Sequence, residues 1–149
     1  MQKTAFIVTP DAHHPLKVVG ETIAVLADSE RTGSYEVFLQ QGPEGAGPPP
    51  HHHPWDESYY VLEGEIDVLL GDRTTTIRAG EFVHVPAGTL HNFRMRTNTA
   101  KFLSMNNRGG ASGFFRAIDR EVGAAPDIPK IMAVAAQHEV RLGPPPGAK

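Results

Sequence analysis

The chain has 149 residues, 40% of them hydrophobic, and a formal net charge of −3. That is the usual length of one domain with a real core, and no basic run or basic helix marks a nucleic-acid or membrane-surface binder. Cysteine is absent, which excludes disulfides and thiolate metal sites and leaves His, carboxylate and backbone oxygen to hold any metal.

The opening MQKTAFIVTP lacks the charged region and long apolar core of a signal peptide, and no apolar run reaches bilayer-spanning length. The expectation is a soluble, cytoplasmic protein. Fifteen Gly and thirteen Pro then separate short runs rich in β-branched and aromatic residues, the pattern of strands punctuated by turns. Strands are predicted at FIVT (6–9), ETIAVLA (21–27), SYEVFLQ (34–40), SYYVLEG (58–64), EIDVLLG (65–71), TTTIRAG (74–80), EFVHVPAG (81–88), HNFRMR (91–96) and AKFLSMN (100–106). In EIDVLL, Ile66, Val68 and Leu70 share one face by period two, and Gly71-Asp72 reads as a tight connection between paired strands. Many short strands with frequent turns indicate a β-sandwich or barrel.

After NNRGGASG the period changes. FFRAIDREV (114–122) places Phe114, Phe115, Ile118 and Val122 near helical spacing. PDIPKIMAVAAQHEV (126–140) reads as a second helix, with Asp127 as its cap, Pro129 in its first turn and Ile131, Met132, Ala135 and Ala136 as its apolar stripe. The tail GPPPGAK is expected to be loose. With no internal repeat, residues 1–149 read as one domain, with a barrel core at about 20–106 and a helical segment at about 113–140.

The stretch GAGPPPHHHPWDESYYVLEGE (45–65) carries three consecutive histidines. They lie mid-chain between strands, unlike a terminal purification tag; a solvated loop and a metal site remain. On an extended chain His51 and His53 share a face, about 7 Å apart, while His52 points away. Glu57 follows beyond a proline bend, so two neutral nitrogens and one anionic oxygen can converge on a divalent first-row metal. In GEFVHVPAGTLHNF (80–93) a strand ends, the chain turns through Pro86-Ala87-Gly88, and a new strand starts at His91. The turn reads as a device for aiming His91.

These two segments resemble the cupin family. Gly45, His51, His53, Glu57 and Gly64 fit G-x5-H-x-H-x3-E-x6-G, and Gly80, Pro86, Gly88 and His91 fit G-x5-P-x-G-x2-H. The family's second motif usually continues with x3-N after its histidine. This chain has Met95 in place of that Asn, a departure that bears on local polar bonding rather than on the ligands. The motifs cover roughly residues 35–106; the later helical segments resemble those of single-domain, quercetinase-like cupins. The resemblance implies an all-β, antiparallel jelly-roll β-barrel with one or two short C-terminal helices. It further implies that His51, His53, Glu57 and His91 meet around one divalent transition metal ion: Fe, Mn, Ni, Co or Zn. A homodimer is implied as well, with a small-molecule ligand and neither nucleic acid nor membrane as partner.

Parity extends the inventory. If Glu57 points inward so do Tyr59 and Val61, and if His91 does so do Phe93 and Met95. Tyr59, Phe93 and Met95 are then the candidate substrate pocket, a largely apolar wall with one phenol. Trp55 and Asp56 are placed at the cavity mouth, and Arg94 and Arg96 outside. His84 cannot be assigned a face, and His52 reads as solvated or as a neighbour behind the ligands. By resemblance the first functional hypothesis is a quercetinase-like dioxygenase acting on an enol, flavonol or diketone, with Glu57 as the base that takes the substrate hydroxyl proton. A non-catalytic small-molecule sensor or carrier and a redox-neutral metal-dependent isomerase or decarboxylase remain open beside it.

Overall fold

A computed structural model describes residues 2–123 and 127–143. In chain order the strands are β1 (Leu16–Val18), β2 (Glu21–Ala27), β3 (Glu36–Gly42), β4 (His51–His52), β5 (Glu57–Glu63), β6 (Glu65–Leu70), β7 (Arg73–Arg78), β8 (Phe82–Val85), β9 (His91–Met95), β10 (Ala100–Asn106) and β11 (Arg141–Leu142). The helices are α1 (Ser29–Thr32), α2 (Ala111–Glu121) and α3 (Ile128–Gln137). Strands alternate buried and exposed residues, so each sheet presents one apolar face and the two faces close on each other. One sheet runs β1-β2-β3-β10-β5-β8 and the other β11-β4-β9-β6-β7, with every described pairing antiparallel. This is the all-β jelly roll expected from the sequence.

Two apolar clusters fill it. Between the sheets lie Tyr59, Val61, Ile66, Val68, Val85, Phe93, Met95, Ala100 and Phe102. Tyr59, Phe93 and Phe102 meet edge to face, with ring centroids 4.9 to 5.7 Å apart. The second cluster joins Val18, Ile23, Phe38 and Trp55 to Ala117 and Ile118 of α2 and to Ile131, Val134 and Ala135 of α3. The helices therefore cap one end of the strands rather than standing apart from them. Glu36 ties α2 down. Its buried carboxylate accepts from Ser29 N and Ser112 N, both at 3.0 Å, and from the Ser112 hydroxyl. A carboxylate at a helix N-terminus also meets the positive end of the helix dipole.

Several expectations are corrected. Residues 6–9 form no strand: among the described residues no sheet neighbour pairs with them, and Ile7 is 90% exposed. β-propensity without a pairing partner does not make a strand. Helix α2 starts three residues before the apolar stripe shows it, where Glu36 holds its first turn. Asp127 does cap α3, accepting from Lys130 N at 3.2 Å. The buried stripe of α3 is Ile131, Val134 and Ala135, while Met132 and Ala136 face outward. Both stripes have helical spacing, and only the position of α2 selects between them. The short strands β1, β4 and β11 leave no trace in local composition. The expectation of a loose tail covers 143–149: Gly143 is held, its N–H donating to Pro50 C=O at 2.9 Å, and 144–149 lie outside the described residues.

Candidate metal centre

The two motif segments meet. His51 on β4 is the direct cross-strand partner of His91 on β9, and His53 lies two residues on, on the same face. One ligand atom from each of His51, His53 and His91 lies within 4.8 Å of the others. The turn after β8 does the aiming. Pro86 C=O accepts from Thr89 N at 3.2 Å, Gly88 takes φ +80°, and Gly88 N donates to His53 C=O at 2.9 Å. That last bond ties the turn leading into β9 and His91 directly to His53, just past the end of β4.

Each imidazole is fixed from behind. The Nδ1–H of His51 donates to Pro49 C=O at 2.9 Å, that of His53 to Trp55 C=O at 3.1 Å, and that of His91 to Thr89 C=O at 2.8 Å. A carbonyl can only accept, so Nδ1 carries a proton in all three and Nε2 is turned toward the common centre, where any proton that His53 or His91 Nε2 donates to Glu57 would give way to an ion. Backbone anchoring of the far nitrogen is the usual support of a metal-binding histidine. Trp55 stacks flat on His53, centroids 4.2 Å apart and 7° between planes, which locks the ring further. The bend that carries it is held by Asp56. Its carboxylate accepts from Ala87 N at 2.9 Å and from the Asn107 amide at 3.1 Å.

Glu57 joins the cluster from β5. Its Oε2 lies 2.8 Å from His53 Nε2 and 3.3 Å from His91 Nε2. Burial pushes the Glu57 carboxyl up, but the hydrogen bonds from His53 and His91 outweigh it and hold it well below the usual range. At His51 burial wins: with His91 beside it, it lowers the imidazole to about 3, so it is a neutral donor at any ordinary pH. Burial lowers His91 as well, yet the Glu57 carboxylate wins and raises it above an ordinary histidine. Three imidazoles with Nε2 convergent, beside a carboxylate kept ionised, fit a divalent transition metal ion.

The cluster opens on a cavity of about 270 Å³. Its walls come from both sheets and both C-terminal helices: Trp55, Tyr59 and Phe93, then Phe114, Phe115, Ile118 and Ile131. Burial, with the Glu57 charge next, raises the Tyr59 phenol well above its usual value, so it stays a neutral donor. Of the candidate pocket residues, Tyr59 and Phe93 line the cavity, whereas Met95 is buried in the core between the sheets and is not in the lining. Val61 is also core. His52 turns away from the cluster and its Nδ1–H donates to Gly143 C=O at 2.9 Å. His84 is on the outer surface, 2.8 Å from the Ser58 hydroxyl. Arg94 and Arg96 are outside, as parity required. Two polar lining residues, Glu21 and Gln40, were missed, although each shares strand parity with an apolar inward neighbour, Ile23 and Phe38. So was the contribution of both helices, which no motif marks.

Jelly-roll sheets with a histidine cluster at one end define a cupin, and residues 38–106 match the model of the Cupin domain family. The chain carries a cupin domain. Over 95 residues, 63% of this chain, it is 30% identical to quercetin 2,3-dioxygenase of Bacillus subtilis, but that match spans only 28% of the dioxygenase. Among solved structures it is similar to the polyketide cyclase RemF of Streptomyces resistomycificus, with 25% identity and a TM-score of 0.61 over 70% of this chain and 80% of that one. An RmlC-like cupin from Shewanella frigidimarina aligns at a TM-score of 0.64 over 73% of this chain and 96% of that one, at 17% identity, a likeness of fold alone.

Proposed function

We propose that the protein is a metal-dependent dioxygenase of quercetinase type, acting on a small enol, flavonol or diketone. The observation that carries this is the convergence of three anchored Nε2 atoms and the Glu57 carboxylate on one wall of an apolar cavity. His51, His53, His91 and Glu57 would hold the ion. When bound, a divalent ion supplies Lewis acidity toward the substrate's oxygens and a path for electrons to dioxygen. Glu57, beside the histidine cluster and on the cavity wall, is placed to accept the proton of the substrate's enol. Trp55 and Phe93 hold the planar substrate body, and α2 and α3 keep bulk water from it. The cavity is at the small end of ligand sites, which suits a compact planar molecule.

A second reading, favoured by the likeness to a polyketide cyclase, is a redox-neutral conversion by the same residues. One experiment separates them. Protein loaded in turn with Fe(II), Mn(II), Co(II), Ni(II) and Zn(II) is incubated with 3-hydroxyflavone, quercetin and acetylacetone, with and without air, in an oxygen electrode. Oxygen uptake matched to substrate loss is expected. Anaerobic conversion would replace the dioxygenase by the redox-neutral reading, and binding without conversion would leave a carrier or sensor.

We read 1–149 as one domain, because α2 and α3 wall the same cavity as the strands, and as a cytoplasmic protein. Among the described residues no helix is long and apolar enough to cross a membrane. We further read it as a homodimer. Tyr60 and Phe82 are paired across β5 and β8, and with Leu62 they leave an apolar outer face 39–58% exposed beside an edge strand. Light scattering should give twice the chain mass, and a monomer at micromolar concentration would refute that part.

A further inference from the structure

Apart from the metal-centre residues and the Tyr59 phenol, two further polar side chains stand in the apolar wall. Glu21 on β2 and Gln40 on β3 both line the cavity and are 5% and 1% exposed. Gln40 Nε2 donates to Glu21 Oε1 at 2.7 Å. The other half of the Gln40 amide, Oε1, is buried and has no hydrogen-bond partner among the described residues. Folded proteins seldom leave such an oxygen empty, because its lost hydration is not replaced. Packing does not call for these residues either: the inward neighbours on the same strands are Ile23 and Phe38.

Register places the pair. Asn106 of β10 stands opposite both Glu36 and Glu57, so those three share one row across the sheet. Gln40 is four residues beyond Glu36 on β3, which is about 13 Å along the strand from that row. The cavity thus has polar chemistry at two separated stations, with apolar wall between.

We propose that Glu21 and Gln40 are a second anchoring point, which takes a neutral hydroxyl group at the end of the ligand remote from the histidines: Gln40 Oε1 accepts the hydroxyl proton and the Glu21 carboxyl O–H donates to the hydroxyl oxygen. Burial holds the Glu21 carboxyl up to about 8, so it keeps that proton at neutral pH. One donor beside one acceptor is matched by a hydroxyl. A carboxylate would repel Gln40 Oε1, and an ammonium would oppose the O–H. The ligand class follows: a planar apolar molecule with metal-seeking oxygens at one end and a phenolic hydroxyl at the other. This deepens the function proposed above and rests on it only in taking this cavity as the binding site.

The test needs neither metal nor turnover. The full chain, dialysed against a chelator, is titrated with toluene and with p-cresol while its isoleucine methyl signals are followed by NMR. Wild type is expected to bind p-cresol more tightly than toluene, by about tenfold, with shifts at the lining residues Ile118 and Ile131. Gln40→Leu and Glu21→Leu should erase or reverse the preference while toluene affinity stays within threefold. Glu21→Gln, which keeps an acceptor for Gln40 and a donor for the ligand, should retain it. Gln40→Met replaces Gln40→Leu if that variant does not fold. An unchanged cresol-to-toluene ratio in the leucine variants would overturn the proposal, as would failure of wild type to bind either probe in the cavity. A negative oxygen-uptake assay would leave this result standing, and a negative titration would leave the dioxygenase assay standing.

Discussion

Glu21→Gln should become more stable relative to wild type as pH rises, and the size of the effect follows from burial. The Glu21 carboxyl is enclosed. Desolvation raises it from an ordinary 4.5 to about 8, the Gln40 hydrogen bond opposes that, and the charge of Glu57 adds to it. Between those values the folded chain keeps a proton that the unfolded chain has released. Stability therefore falls as pH rises through this window, is undiminished below about 4.5, and is lowest above about 8. Wild type is expected to lose on the order of a few kcal/mol between pH 5 and pH 8 from this group alone. Against a total of about 5–15 kcal/mol for a domain, that is a large share. Glutamine keeps the acceptor for Gln40 Nε2 and carries no titrating proton, so the variant lacks this loss. The assay is urea denaturation of chelator-treated wild type and variant at half-unit steps from pH 5 to 9. Other titrating groups cancel in the difference. Parallel stability curves for the two proteins across that range would refute the account of Glu21 as a buried, proton-holding group.

Further outcomes are expected at the metal centre. His53→Ala and His91→Ala should each lose most of the bound metal, measured by elemental analysis of tag-free protein; a full equivalent in both would reject the ligand set. Glu57→Gln should keep part of the metal and lose turnover by at least about a hundredfold, the scale of a removed general base. Wild-type rates in that variant would remove Glu57 from proton transfer. Gly47 has φ +145°, and a Cβ there would collide with the Phe93 carbonyl oxygen. Gly47→Ala should therefore cost about 1–3 kcal/mol in urea denaturation and loosen the cavity wall; a change under about half a kcal/mol would show that the backbone yields there freely.

The sequence by itself determined the strand-rich class, the inward parity of Glu57, Tyr59 and Val61, and the candidate donors. These depend on spacing along one chain, where period two and turn chemistry act between near neighbours. It also determined that Asp127 would cap a helix, because capping is a bond across three residues. Tertiary structure alone decided that β4 pairs with β9, which turns an HxH and a distant His into one cluster. It alone selected Val134 over Met132 as the buried side of α3, because a helix with apolar residues on two flanks is oriented by what it packs against. The same holds for FIVT, which has the composition of a strand and lacks a neighbour to bond. Glu21 and Gln40 were visible only as polar residues in strand runs. Their meaning depends on the enclosed space that the sheets and helices make together, and the loss of hydration that raises Glu21 is a property of that enclosure.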